Sequence, residues 1–142
     1  MDGADPYETL PTFQFGGGGA LADALAALVL RGLKSATCTT LAEYQEKGEA
    51  IPTPGERFVM LDSRGVPLGV IETVAIEVQP AGAVDEAFAR DEGEGDRTLS
   101  YWRQAHKRYF AGQGRALTNE TLLVCERFKL VHIFAADLEG SH

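Results

Sequence analysis

No apolar run in these 142 residues approaches the roughly 20 needed to cross a bilayer. The first ten residues, MDGADPYETL, are acidic where a secretory leader would be basic and then apolar. Neither a membrane segment nor a signal peptide is therefore expected. Cysteine is equally scarce. Cys38 and Cys125 stand far apart, with no CxxC and no histidine-rich setting, so free buried thiols in a reducing cytoplasm are expected rather than a disulfide or a zinc site. The glycine run at 16–19 precedes a helix but lacks the GK[ST] of a phosphate loop, and hairpin strands follow it instead of a parallel crossover, which argues against a nucleotide fold. No internal repeat and no linker interrupts the chain.

What the sequence does contain is enough for one core: 44% hydrophobic and 24% charged residues, with a net charge of −8. That acidity argues against general nucleic-acid binding. The charge is uneven, however. Between Arg97 and Lys129 lie seven basic residues against two acidic ones, a local +5 that leaves −13 for the remainder. The segment has two readings, a local attraction for a phosphorylated or polyanionic ligand and an ordinary solvated surface.

Hydrophobic patterning predicts a mostly buried helix over Ala20–Leu33, ended by Gly32, then a short strand in KSATCTT and a polar stretch through Tyr44 and Lys47. A hairpin follows over Arg57–Asp62 and Val66–Val78 around SRGVP. Next come a short helix at Val84–Arg90, an acidic loop, a helix from Leu99 to about Ala111 capped by Thr98, and a closing strand at Leu123–Phe134. Helices inserted among antiparallel strands indicate an α+β domain, with a small barrel and helices packed against it. A single domain over 1–142 is expected, with 1–12 a flexible N-terminus and 135–142 a tail.

The segment DEGEGDRTLSYWR, Asp91–Arg103, is the most unusual stretch: four carboxylates within six residues, spaced by two glycines, ahead of an aromatic and basic helix. Such crowding raises proton affinity and is costly to order, which suggests that the carboxylates are used. The segment lacks the twelve-residue calcium pattern, and no metal is assigned to it. On the helix that follows, Leu99, Trp102, His106, Tyr109 and Phe110 share one face, and Arg103 and Lys107 sit one turn apart at its border. Trp102 and His106 are expected in the core, the histidine hydrogen-bonded rather than catalytic.

The segments FGGGGALADALAALVLRGLKSATCT, FARDEGEGDRTLSYWRQAHKRYF and VCERFKLV together resemble the ASCH domain family, in particular its longer bacterial subgroup, over about Phe13–Val131. One departure is Gly17, where the family pattern has an aspartate. The resemblance implies a barrel related to the PUA RNA-binding domain. It also implies a hydrolase of N-acylated cytidine with Lys34, Thr37 and Glu94 as its catalytic residues, Glu92 being the alternative to Glu94. Small members of the family have that activity, while the longer subgroup is associated with cleavage of single-stranded RNA, and a noncatalytic RNA-binding module is a third reading. Arg103 and Lys107 are then expected to line the rim of the same cavity and hold phosphates. The expected partners are a modified nucleoside or single-stranded RNA, with no cofactor, no membrane and no obligate protein partner.

In chemical terms, Thr37 is the expected nucleophile, Lys34 its base, and Glu94 the acid that protonates the departing amine. A lysine base must be desolvated, whereas the nearby helix C-terminus favours its charged form, so the two effects oppose each other. In a regular strand, residues three apart face opposite ways, so Lys34 and Thr37 cooperate only if the chain turns between them.

Overall fold

A computed structural model describes residues 7–15 and 18–134. Gly17, the expected C-terminal tail and half of the expected N-terminal arm lie outside the described residues. Among the described residues five strands and four α-helices run in the order β1 (Thr12–Phe13), α1 (Gly19–Leu30), β2 (Ala36–Thr40), α2 (Leu41–Lys47), β3 (Arg57–Leu61), β4 (Pro67–Pro80), α3 (Glu86–Glu92), α4 (Leu99–Gly112) and β5 (Leu122–Ile133). The chain is α+β, as expected.

The strands form one mixed sheet in the order β1-β3-β4-β5-β2. β1 runs parallel to β3, and every other neighbouring pair is antiparallel. The expectation of a barrel is not met by strand pairing: among the described residues no ladder joins β1 to β2, so the sheet is open between these two end strands. The predicted hairpin is β3–β4, and its long second strand continues along β5 through Pro80.

Two apolar clusters hold the layers. Leu25, Ala26 and Val29 of α1 pack with Met60, Ile71 and Phe128, while Phe88, Trp102 and Phe110 of α3 and α4 pack with Ala36, Leu123 and Cys125. The polar stretch after β2, assigned no element from sequence, is helical: the Thr40 hydroxyl accepts from the Glu43 amide and Gly48 ends the turn in the left-handed region. α3 runs two residues further than expected, so Glu92 belongs to a helix end and not to the acidic loop.

Gly93, which ends α3, packs against the chain just ahead of β2. Its φ is +77°, and a Cβ placed there would lie 2.2 Å from the Leu33 carbonyl oxygen. Gly48 is also left-handed, at φ +65°, but has open space around it. Gly48→Ala is therefore expected to cost about 1–2 kcal/mol from backbone conformation alone, and Gly93→Ala more than about 3 kcal/mol because chain must also be displaced. Urea unfolding of the two variants at one pH tests this ordering.

Candidate active site

Lys34 follows α1 through a turn in which the Leu33 and Lys34 amides both donate to the Leu28 carbonyl. It therefore precedes β2 instead of lying in it, which removes the difficulty of a three-residue spacing within one strand. Its side chain is fully buried. Nζ donates to the Ala36 carbonyl at 2.7 Å and lies 3.3 Å from both the Glu92 carbonyl and Glu92 Oε1, and 3.4 Å from Glu94 Oε2. All of these partners are oxygen acceptors, as the donors of an ammonium require.

Glu92, at 1% exposure, is the centre of the network. Oε1 faces Lys34, while Oε2 accepts the Trp102 indole N–H at 2.8 Å and lies 3.5 Å from His106 Nε2. Burial alone would raise the affinity of this carboxyl for a proton. The Lys34 charge, His106 and the Trp102 donor together outweigh burial and hold Glu92 well below the usual carboxylate range. For His106, burial pulls downward, but the Glu92 carboxylate and the Trp102 carbonyl at Nδ1 outweigh it, so its affinity for a proton is raised. Trp102 and His106 stack at 4.3 Å between ring centroids. Trp102 lies in the core as expected, whereas His106 is hydrogen-bonded as expected but part-buried at the cavity wall.

Glu94 differs from Glu92. Its side chain is 25% exposed, and its carboxyl is shifted above the ordinary value. Burial is the main cause and Lys34 opposes it, with Glu92 adding repulsion. The direction agrees with the expectation from charge crowding, but the principal cause is desolvation. The other two carboxylates are committed elsewhere: Asp91 pairs with Arg127 of β5, and Asp96 accepts from the Thr98 amide and hydroxyl ahead of α4.

Glu92 and Glu94 both line a cavity of about 700 Å³. Its walls draw on both end strands of the open sheet, Thr12 and Phe13 of β1 and Thr37, Cys38 and Thr39 of β2, so it occupies the region where a closed barrel would need strand pairing. Thr37 is half-buried in this wall, and among the described residues no hydrogen bond reaches its hydroxyl, including from Lys34. Arg103 and Lys107 are not among the lining residues. α4 turns Ala105, His106, Tyr109 and Phe110 to the cavity, and Arg103 instead reaches the Gly82 carbonyl at 3.5 Å. The shared border of the two cations was legible, but the rotation of the helix was not.

Cys38, Glu92 and His106 place ligand-type atoms within 4.8 Å of one another, a donor set of the kind zinc accepts. The Lys34 ammonium on the same carboxylate opposes a second cation there. Burial, followed by the Glu92 charge, holds Cys38 as a thiol, well above its ordinary value.

The ASCH domain family matches residues 12–132, a span that includes every member of this network. The chain belongs to that family. Two solved structures are similar throughout. Protein EF3133 from Enterococcus faecalis V583 shares 35% identity over 93% of this chain and 83% of its own, at a TM-score of 0.80. An ASCH domain from Lactobacillus crispatus JV V101 shares 34% identity over 89% and 82%, at a TM-score of 0.78. The ASCH protein ZmASCH from Zymomonas mobilis, solved as a serine-to-alanine mutant, shares only 12% identity over 92% and 76%, at a TM-score of 0.53, a likeness of fold alone. No curated protein matches this ASCH chain.

The buried network yields two stability predictions. Lys34→Met removes the charge that compensates Glu92 and should cost about 3–5 kcal/mol, whereas adding Glu92→Gln should recover part of that loss; denaturant unfolding of the single and double variants measures the coupling. His106 has a raised folded-state value, so its contribution is complete below its unfolded value, near 6.5, and is lost as pH rises through the folded value. Unfolding free energy should decline over that window in the native protein and stay flatter in His106→Gln.

Proposed function

We propose that this ASCH domain hydrolyses the amide of an N-acylated cytidine, with Thr37 as nucleophile and Glu94 as general acid. The observation that carries the reading is convergence: Thr37 and Glu94 open onto one cavity, and Glu94 is tied to the buried Lys34, 60 positions away, at 3.4 Å. A carboxyl with raised proton affinity at the cavity wall suits delivery of a proton to a departing cytosine nitrogen. Glu92, held ionised and enclosed, suits a positioning role instead. Lys34 is likewise a positioning residue, because its buried ammonium holds both glutamates and lies over the Phe15 ring of the cavity wall.

The walls support an uncharged ligand. Aromatic surface from Phe13, Phe58 and Tyr109 is combined with carboxylates such as Glu43, Glu49 and Glu56. Phosphates would meet like charge there. The ribonuclease and RNA-binding readings would instead engage the outer face bearing Lys107 and Arg108, which is exposed.

Liquid-chromatographic assay of N4-acetylcytidine hydrolysis tests the proposal. Thr37→Ala should reduce turnover to near background and Glu94→Gln by about 10²–10⁴-fold, while Arg103→Ala with Lys107→Ala should leave it close to that of the native protein. Undiminished turnover in Thr37→Ala would refute the assignment.

A further inference from the structure

With Glu94 assigned as the acid and Lys34 as a positioning residue, Thr37 still requires a base. The family resemblance pointed to Lys34, but among the described residues its ammonium is committed as a donor to three acceptors, Ala36, Glu92 and Glu94. The register of the sheet offers another group. In the antiparallel β2–β5 ladder, Thr37 stands directly opposite Glu126. Directly opposed residues project to the same face, with Cβ atoms about 4.5–5.5 Å apart. Both side chains line the cavity.

Glu126 is only 8% exposed. Its Oε2 accepts from the Thr73 hydroxyl of β4 at 2.7 Å, and among the described residues no donor reaches Oε1. A carboxylate oxygen without a partner is costly to bury unless a ligand or a mobile hydroxyl completes it. Among the described residues no cation is paired with it. Besides Thr73 and Thr37, the titratable groups that face it are Glu56 ahead of β3, whose charge disfavours ionisation of Glu126, and Tyr44 of α2, a neutral phenol whose own ionisation Glu126 opposes.

We propose that Glu126 is the general base that activates Thr37, an assignment that rests on the amide-hydrolysis reading above. In the first half-reaction the Thr37 hydroxyl proton passes to Glu126 as Oγ1 bonds to the acyl carbon. The C–N bond then breaks, and Glu94 supplies the proton to the cytosine nitrogen. In the second half-reaction water attacks the Thr37 ester and yields a proton to Glu94, while Glu126 returns its proton to the departing Oγ1. Both carboxyls finish as they began, and the net reaction is amide plus water giving amine plus acid. This exchange of roles between two carboxyls does not require the buried lysine to change its protonation.

An activated ester isolates the base, because a nitrophenolate departs without a proton. The protein is exposed to p-nitrophenyl acetate, nitrophenolate release is followed, and the acetylated residue is located by peptide mass spectrometry. Acetylation at Thr37 is expected, slowed about 100-fold or more in Glu126→Gln. Thr73→Val, which removes the hydroxyl that stabilises the ionised carboxyl, should move the acidic limb of the acetylation rate to higher pH. If Glu126→Gln proves unfolded by thermal denaturation, this pH displacement carries the test. Acetylation at the native rate in folded Glu126→Gln, acetylation of Cys38 in place of Thr37, or an unmoved acidic limb in Thr73→Val would overturn the assignment. Base-dependent acetylation of Thr37 without any N4-acetylcytidine hydrolysis would uphold Glu126 and refute the substrate; acetylcytidine hydrolysis undiminished in Glu126→Gln would uphold the substrate and refute Glu126.

Discussion

The candidate site depends on one buried contact, between the Lys34 ammonium and the Glu92 carboxylate. Either charge alone in that environment would cost several kcal/mol. Together, with the Ala36 carbonyl, the Trp102 indole and His106 completing their hydrogen bonds, they link the end of α1, the start of β2, the last turn of α3 and the buried face of α4. Gly93 permits this approach, since only a residue without a Cβ fits against Leu33 at that angle. Such a pair is weak evidence for stability gained, but it fixes how four elements meet.

Glu92 takes up the tryptophan and histidine and shares the lysine, so that among the described residues Lys34 is the hydrogen-bond partner of the Glu94 side chain, which keeps partial access to the cavity. Two glutamates separated by one glycine thereby acquire opposite proton affinities. Such a separation is what acid and base chemistry at one pH requires. On β5, Glu126 has no paired cation among the described residues and is shifted upward by burial, with Thr73 opposing that shift. The cavity thus contains carboxyls in three environments, set by what surrounds each and not by residue type.

Much of this was legible in the sequence, for local reasons. The β3–β4 hairpin announced itself through its turn, α4 through the Thr98 cap and its apolar stripe, and the crowding of Asp91 to Asp96 marked the site. α2 was overlooked although Thr40 and Glu43 carry a capping signal, because its exposed faces lack an apolar stripe. Long-range facts were not legible. Closure of the sheet depends on whether β1 meets β2, the rotation of α4 decides that Arg103 leaves the cavity, and the pairing of Thr37 with Glu126 is a matter of register between strands nearly 90 residues apart. Lys34 and Glu94 became candidates through family resemblance, and only packing distinguishes Glu94 from Glu92.

The central claim is that packing divides two neighbouring carboxyls: the buried lysine holds Glu92 ionised, while desolvation raises the proton affinity of Glu94 at the cavity despite the same lysine. Site-resolved carbon NMR titration of the Glu92 and Glu94 side-chain carboxyls measures this directly. The expected result is that Glu92 remains ionised throughout the range in which the fold persists, while Glu94 takes up its proton above the ordinary glutamate value of 4.5. Titration of Glu94 at or below that value, or uptake of a proton by Glu92 first, would contradict it.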